Sequence, residues 1–335
     1  MVLWWREADL PPALQQACEA PAMKRIRDVD MNCGMNYTKF PRFARIGAYS
    51  RYEHSLGVSC ILWRMTKDPA MALAGLFHDI AAPAFSHVVD FARGDYKKQE
   101  ATERETEGII REDPVIQKVL EELGLSVQDV ASDSAYPLAN CKAPGLCADR
   151  LEYTLGNMVN YGFAKKEEAK TYLDRVTIRQ NEAGEEELGF SDAESGIAFA
   201  KRALLCGSVY ACPEDRYGME ILAELLKKAL ERGILSEADL WTTEPWVSQK
   251  LSESALAPDW AAFCRMQRLE VREDFPKEGE RSGWRSLQVK KRWIDPLCGD
   301  EGRAFQIDPA FQKDLAEFLS DPQKEVMRDP DWDWN

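Results

Sequence analysis

The residues that offer chemistry are concentrated in residues 51–90, which contain every histidine in the chain: His54, His78 and His87. Asp79 follows His78 directly, and Asp149 lies on a later predicted helix. Imidazole nitrogens and carboxylate oxygens together bind many divalent ions. Two histidines and two aspartates brought together from three helices therefore predict a metal site formed by His54, His78, Asp79 and Asp149.

The third histidine, His87, is available for proton transfer. Asp90 follows three residues later, where a helix would bring its carboxylate alongside the imidazole. Such a carboxylate holds the imidazole tautomer and raises its pKa, so that the acid form persists near neutral pH. The alternative is that Asp90 is a surface residue.

Regular helices must position these side chains. The apolar spacing predicts helices over 50–67 and 69–80, separated at Asp68 and Pro69, and a further helix over 146–160. Pro83 predicts a turn or broken helix over 81–87, which allows the adjacent His78 and Asp79 to face one ion at a helix end.

The rest of the chain predicts a mainly α-helical fold with a small β element in its C-terminal half. Alternating residues around Glu182, Ala183 and Gly184 predict a β-hairpin over 176–190, and 286–297 predicts one strand. We expect two parts, residues 1–165 and residues 166–335, with a soft boundary. The other predicted helices cover 13–28, 114–123, 192–205, 213–232, 241–266 and 308–319.

Composition excludes some functions. The net charge of −14 argues against binding along a long nucleic acid, because such binding needs many Lys and Arg residues. The nine cysteines form no CxxC pair, which is typical of a reduced, cytoplasmic chain. No apolar run approaches the ~18 residues of a membrane span, and no signal peptide is expected.

Four short motifs occur in a known order: HSLG at 54–57, HDI at 78–80, FSH at 85–87 and ADRLEY at 148–153. They resemble the HD-domain superfamily of metal-dependent phosphohydrolases, and within it the deoxynucleoside triphosphate triphosphohydrolase branch. The resemblance covers about residues 25–160 and implies an HD-domain helical bundle. It implies that His54, His78, Asp79 and Asp149 bind the metal, and that His87 and Asp90 protonate the leaving oxygen.

The resemblance also implies substrate contacts. Arg51 lies on the same helical face as His54, and its guanidinium fork suits a phosphoryl group. Other residues match family positions that contact phosphate, sugar or base, or lie in segments that could line the pocket. The expected substrate-binding residues are Arg51, Arg150, Tyr153, Gln99, Asn32 and Tyr210.

The chain departs from the family pattern at three positions. Ala82 replaces a histidine, Gln99 stands where a histidine is common, and Gly156 and Asn157 occupy the place of an arginine. A glutamine donates hydrogen bonds but carries no charge, so the site has fewer cations to hold a triphosphate. We therefore expect a substrate with fewer phosphates, or a phosphodiester.

The sequence thus predicts a cytoplasmic metal-dependent phosphohydrolase that acts on a nucleotide or related phosphoester. One divalent ion (Mn, Fe, Mg, Co or Ni) would polarise the phosphoryl group and lower the pKa of a water nucleophile, with His87 as general acid. We expect a small anionic substrate, no long nucleic acid, no membrane partner and assembly as at least a dimer. The alternatives are a non-catalytic nucleotide-binding or regulatory protein, a deoxynucleoside triphosphate triphosphohydrolase or phosphodiesterase, and a structural protein without metal.

Overall fold

A computed structural model describes residues 4–89 and 103–332. Asp90 and Gln99 lie outside the described residues, so their predicted roles stay predictions. Among the described residues, no helix is both long and apolar enough to cross a membrane.

The fold is mainly α-helical, as predicted. The predicted helix over 13–28 is interrupted before Pro21, and the helices that carry the predicted metal ligands begin and end close to the predicted positions. The α-helices of the described residues are α1 (Pro12–Cys18), α2 (Pro21–Arg25), α3 (Arg51–Thr66), α4 (Pro69–Phe77), α5 (Glu103–Glu112), α6 (Pro114–Leu123), α7 (Ala148–Asn160), α8 (Lys166–Arg175), α9 (Ala193–Tyr210), α10 (Pro213–Glu231), α11 (Glu237–Leu240), α12 (Glu244–Ser252), α13 (Ala257–Arg265), α14 (Ala304–Ile307) and α15 (Pro309–Ser320).

Two small sheets accompany the helices. The predicted hairpin is confirmed: β1 (Val176–Gln180) pairs antiparallel with β2 (Glu186–Phe190), with Val176 opposite Phe190. The second sheet pairs β3 (Glu270–Arg272) antiparallel with β5 (Val326–Arg328).

The predicted strand over 286–297 is wrong. Apart from β4 (Leu297–Cys298), which pairs in parallel with β2, this segment has no strand structure. Its polar groups instead bind the chain around residues 318–323: Val289 N donates to Gln323 Oε1, and Lys291 Nζ donates to Leu319 O. The alternating residues of 286–297 suit a segment with one buried side, but no neighbouring strand in the described part of the chain forms backbone hydrogen bonds with residues 286–296.

Local sequence signals set the ends of the central helix pair. Ser50 and Glu53 form a capping box at the start of α3. The next helix, α4, begins with Asp68, whose side chain accepts the N–H groups of Ala70 and Met71, followed by Pro69 in its first turn. These signals fix where α3 and α4 begin. His54, near the start of α3, and His78, directly after α4, then lie with their Nε2 atoms 3.1 Å apart.

The interior contains two large apolar clusters. The first surrounds α3, α4 and α7, and it also includes Phe190 and Phe199 from the C-terminal half. The second surrounds α10, α12 and α13, and it includes Phe40 and Phe85 from the N-terminal half. Each cluster therefore draws on both halves of the chain, and the division at residue 165 stays a prediction.

The close approach of α3 and α4 depends on Gly75. A Cβ atom there would lie 2.5 Å from Leu62 Cδ1 and 3.0 Å from Val58 Cγ1. We expect Gly75→Ala to lower the free energy of unfolding by about 1–2 kcal/mol, because overpacking of the interface outweighs the gain in helix propensity. Chemical denaturation measures the change.

Gly108 is the matched control, since it lies within α5 and a Cβ there would meet nothing within 4 Å. Gly108→Ala should raise the free energy of unfolding by up to about 1 kcal/mol through helix propensity alone. Equal effects of the two substitutions would contradict the proposed role of Gly75.

Candidate metal centre

Three of the predicted metal ligands converge from three helices. His54 lies within α3, His78 directly follows α4, and Asp149 lies in the first turn of α7. His54 Nε2 lies 3.1 Å from His78 Nε2 and 3.1 Å from Asp149 Oδ1. One ligand atom from each of these residues lies within 4.8 Å of the others.

The fourth predicted ligand, Asp79, completes the cluster. Its Oδ2 atom lies 3.6 Å from His78 Nε2 and 3.9 Å from His54 Nε2. Ligand atoms bound ~2.1 Å from one ion are separated by about 3–4 Å, so the four side chains need only small adjustments to share an ion.

The hydrogen-bond partner of Nδ1 defines the tautomer of each of the two histidines. His54 Nδ1 lies 2.6 Å from Glu152 Oε2, and His78 Nδ1 lies 2.8 Å from Gly75 O. Carboxylate and carbonyl oxygens only accept hydrogen bonds, so both Nδ1 atoms donate. The Nε2 lone pairs of neutral His54 and His78 therefore point at each other and at the two aspartates.

This arrangement requires positive charge at its centre. Two facing lone pairs and two carboxylates repel unless a proton or a metal ion lies between them. Burial lowers the pKa of His54, but hydrogen bonds with Asp149 and Glu152 outweigh it and raise the pKa to about 10. In the metal-free protein a proton on His54 supplies the charge, and the donor set fits a divalent ion in its place.

Arg51 approaches the cluster from the start of α3. Its buried guanidinium donates from Nη1 to Asp79 Oδ2 at 2.7 Å and from Nε to Ser86 Oγ at 3.0 Å. Burial raises the pKa of Asp79, but the positive charge of Arg51, together with the charges of His78 and His54, outweighs it and holds the pKa well below its ordinary value. Arg51 thus orients a predicted metal ligand, and its contact with a substrate phosphate stays a prediction.

A buried carboxylate behind His54 supports the cluster. Glu152 is completely buried and binds three donors: His54 Nδ1, the Tyr49 hydroxyl and Trp5 Nε1, the last at 3.1 Å. Gly57 allows this packing, because a Cβ there would lie 2.5 Å from Glu152. Sequence reasoning missed Glu152, although its position one turn after Asp149 places it on the same face of α7.

A further carboxylate lies close to the cluster and was also missed. Asp133, in a short 3-10 helix over Asp133–Ala135, interacts electrostatically with His78, Asp149 and Asp79. Burial raises its pKa, and the charge of His78 and a hydrogen bond from Asn140 partly oppose that rise.

His87 follows a strained turn. Phe85 and Ser86 have φ angles of 63° and 51°, a left-handed conformation that is uncommon for residues other than glycine. Phe85 is fully buried, and its ring packs 5.7 Å from that of Tyr37. Ser86 accepts a hydrogen bond from Arg51, and the half-buried His87 is the next residue. The role of His87 in proton transfer stays a prediction.

Aromatic residues form a continuous wall beside His54. The Tyr153 ring lies 6.4 Å from the His54 ring and 6.4 Å from the Tyr210 ring, and Tyr210 lies 6.3 Å from Tyr161. The Tyr161 hydroxyl donates to Asn32 Oδ1 at 3.3 Å. The structure therefore links the predicted residues Asn32, Tyr153 and Tyr210, through Tyr161, which sequence reasoning missed.

Arg150 contacts a loop in this structure. Its Nη2 atom donates to Cys141 O at 2.7 Å, and its Nη1 atom donates to Gly145 O at 2.7 Å and to Cys141 Sγ at 3.1 Å. Its predicted contact with substrate stays a prediction.

A separate cavity of about 720 Å³ opens beside the start of α3. Its lining includes Arg27, Asp30, Tyr52 and Glu244, and none of the four predicted metal ligands. The cavity is therefore distinct from the metal cluster.

Comparisons with known proteins identify the domain. Residues 51–133 match the HD domain model, which confirms the predicted HD-domain resemblance. The chain is 32% identical to the uncharacterized protein YdhJ of Bacillus subtilis over 61% of this chain and 62% of YdhJ. It is 24% identical to the metal-dependent phosphohydrolase cns2 of Cordyceps militaris over 69% of this chain and 65% of cns2. It thus spans less than two thirds of each relative.

Solved structures share the fold. A hypothetical protein from Aquifex aeolicus matches with a TM-score of 0.62 and 18% identity, over 96% of this chain and 93% of that chain. A phosphohydrolase from Bacteroides thetaiotaomicron matches with a TM-score of 0.65 and 14% identity, over 95% of each chain. The whole described architecture, beyond the HD domain itself, therefore recurs in other proteins.

Removing the Glu152 charge should weaken metal binding. We expect Glu152→Gln to lower the affinity for Mn²⁺ by roughly 10–100-fold, because the carboxylate orients His54 and increases its basicity. Calorimetric titration with Mn²⁺ measures the change. Glu122→Gln, at an exposed position on α6, is the control and should bind as the wild type does. Equal affinities in all three proteins would contradict the role of Glu152.

Metal binding should release a proton near neutral pH. His54, with a pKa of about 10, must deprotonate before it binds an ion. We expect metal affinity to increase by up to about tenfold per pH unit from about pH 6 to about pH 8. Calorimetry in buffers of different ionisation enthalpy counts the released protons. A constant affinity without proton release would show that His54 is not protonated in the free protein.

Proposed function

We propose that this chain, which carries an HD domain, is a metal-dependent phosphohydrolase acting on a nucleotide or a related small phosphoester. The observation that carries the proposal is the convergence of two imidazole lone pairs and two carboxylates on one point that requires positive charge. One relative, the metal-dependent phosphohydrolase cns2, has a name that indicates the same reaction class.

The predicted ligands would hold one divalent ion through His54, His78, Asp79 and Asp149. A bound ion there supplies Lewis acidity, which stabilises phosphoryl charge and lowers the pKa of water. The mixed nitrogen and oxygen donors accommodate Mn, Fe, Mg, Co and Ni alike, so the donor set leaves the choice of metal open.

The chain itself would supply the proton and orient the reactants. His87 is the one histidine outside the metal cluster, and it follows Ser86, the hydrogen-bond partner of Arg51. We assign to His87 the transfer of a proton to the leaving oxygen. General acid catalysis by a well-positioned side chain typically increases the rate by about 10²–10⁴-fold. Arg51, whose guanidinium lies against Asp79, would share its positive charge with a bound phosphoryl group.

The departures from the family pattern favour a substrate with few phosphates. Ala82 is buried in the first apolar cluster, so it adds no cation to the site. Gly156 packs against Tyr49, since a Cβ there would lie 2.6 Å from its hydroxyl oxygen, and Asn157 donates to the Tyr210 hydroxyl at 2.7 Å. The segment that replaces the expected arginine therefore supports Glu152 and the aromatic wall.

Two alternatives remain open to test. The buried Ala82 also suits a nucleotide-binding or regulatory protein that binds metal without turnover. A deoxynucleoside triphosphate triphosphohydrolase or a phosphodiesterase would use the same metal cluster on a narrower set of substrates.

A substrate panel tests the reaction class. Nucleotides, deoxynucleotides, cyclic nucleotides and simple phosphoesters are incubated with Mn²⁺, Mg²⁺, Co²⁺ or Ni²⁺, and the products are identified by mass. We expect metal-dependent hydrolysis of at least one class, and Asp79→Asn should abolish it together with metal binding. Asp174→Asn, at an exposed position on α8, serves as the control. Metal binding without any product would favour the regulatory alternative.

The role of His87 can be separated from that of the ligands. We expect His87→Ala to retain the metal while lowering kcat by roughly 10²-fold or more, as the loss of a general acid does. The pH profile of kcat should lose its alkaline limb. Turnover at the wild-type rate would exclude His87 as the acid.

A further inference from the structure

The loop before α7 brings two of the nine cysteines together beside an arginine. Cys141 lies in the loop, and Cys147 is the residue that directly precedes α7. The Cys147 thiol hydrogen-bonds to the sulfur of Cys141, and Arg150 Nη1 lies 3.1 Å from the same sulfur. Neither cysteine forms a disulfide in the structure.

The guanidinium of Arg150 is held in place against Cys141. Its Nη1 and Nη2 atoms also donate to Gly145 O and Cys141 O, both at 2.7 Å. The loop thus binds Arg150 through two backbone carbonyls while one N–H faces the sulfur. Two donors directed at one sulfur stabilise its thiolate form.

The balance of charges favours a reactive Cys141. The hydrogen bond from Cys147 lowers the pKa of the Cys141 thiol, and the charge and hydrogen bond of Arg150 lower it further. Burial and the negative charge of Glu187 oppose this shift without reversing it. Cys141 is half-exposed and Cys147 is buried, so a small solute reaches Cys141 first.

We propose that Cys141 and Cys147 form a thiol-oxidation site, at which hydrogen peroxide oxidises Cys141 and Cys147 then closes a reversible disulfide. In the first step the Cys141 thiolate forms an S–O bond, the peroxide O–O bond breaks, and the leaving hydroxide takes up a proton as water. In the second step Cys147 forms the S–S bond, the S–O bond breaks, and hydroxide leaves with the thiol proton as water. Two thiols are oxidised by two electrons, and peroxide is reduced.

The position of the pair connects it to the metal centre. Asp149 lies two residues after Cys147 in the first turn of α7, and Arg150 follows it. A disulfide would take away the Cys141 thiolate that Arg150 contacts. The change would occur at the start of α7, beside the predicted metal ligand Asp149.

Peptide mapping of the wild-type chain tests the proposal. Trypsin cleavage after Lys118, Lys142 and Arg150 places Cys141 in the peptide 119–142 and Cys147 in the peptide 143–150, with no other cysteine in either. After treatment with hydrogen peroxide and blocking of free thiols, we expect these two peptides to be linked, and dithiothreitol to separate them.

Cys264 provides an internal control. It is also half-exposed, but burial raises the pKa of its thiol to about 11. We expect iodoacetamide to alkylate Cys141 at least about tenfold faster than Cys264 near neutral pH, because the thiolate is the nucleophile. In Cys147→Ser, peroxide should leave a sulfenic acid on Cys141 that dimedone traps. Peroxide that leaves the two peptides unlinked, or alkylation of Cys141 no faster than that of Cys264, would overturn the proposal.

Discussion

The metal cluster depends on a completely buried carboxylate, Glu152. A buried charge is tolerated only when donors surround it, and Glu152 binds the His54 imidazole, the Tyr49 hydroxyl and the Trp5 indole. When His54 is neutral, the contact with Glu152 keeps the proton on Nδ1 and directs the Nε2 lone pair at His78. The contacts of Glu152 also explain small residues nearby, since Gly57 and Gly156 leave room for the carboxylate and for the tyrosine.

The second constraint is the left-handed turn before His87, which packs against residues of the C-terminal half of the chain. Phe85 anchors the left-handed turn before His87 in the second apolar cluster, against Tyr37 and Trp260. Burial of a large ring stabilises by about 2–3 kcal/mol, which is enough to offset the cost of the unusual backbone at Phe85. The placement of the proposed general acid thus depends on packing against helices that follow residue 213.

Much of the site could be predicted because its signals are local. The starts of α3 and α4 follow from Ser50, Asp68 and Pro69, which act on the first turn of the helix that follows them. The pattern of His54, His78 and Asp149 predicted a cluster that the structure brings together. The strand expected over 286–297 was wrong because strand formation needs a partner segment, which alternation alone does not provide.

The sequence by itself determined the mainly helical fold, the HD-domain motifs and the candidate metal ligands, since residue type and short-range spacing carry that information. Only the tertiary structure decided that Arg51 contacts Asp79, that Glu152 orients His54, that Tyr161 joins Asn32 to Tyr210, and that Cys141 meets Cys147 beside Arg150. Most of these contacts join residues far apart in the chain, and all of them depend on how packed helices and loops direct side chains, which no spacing rule specifies.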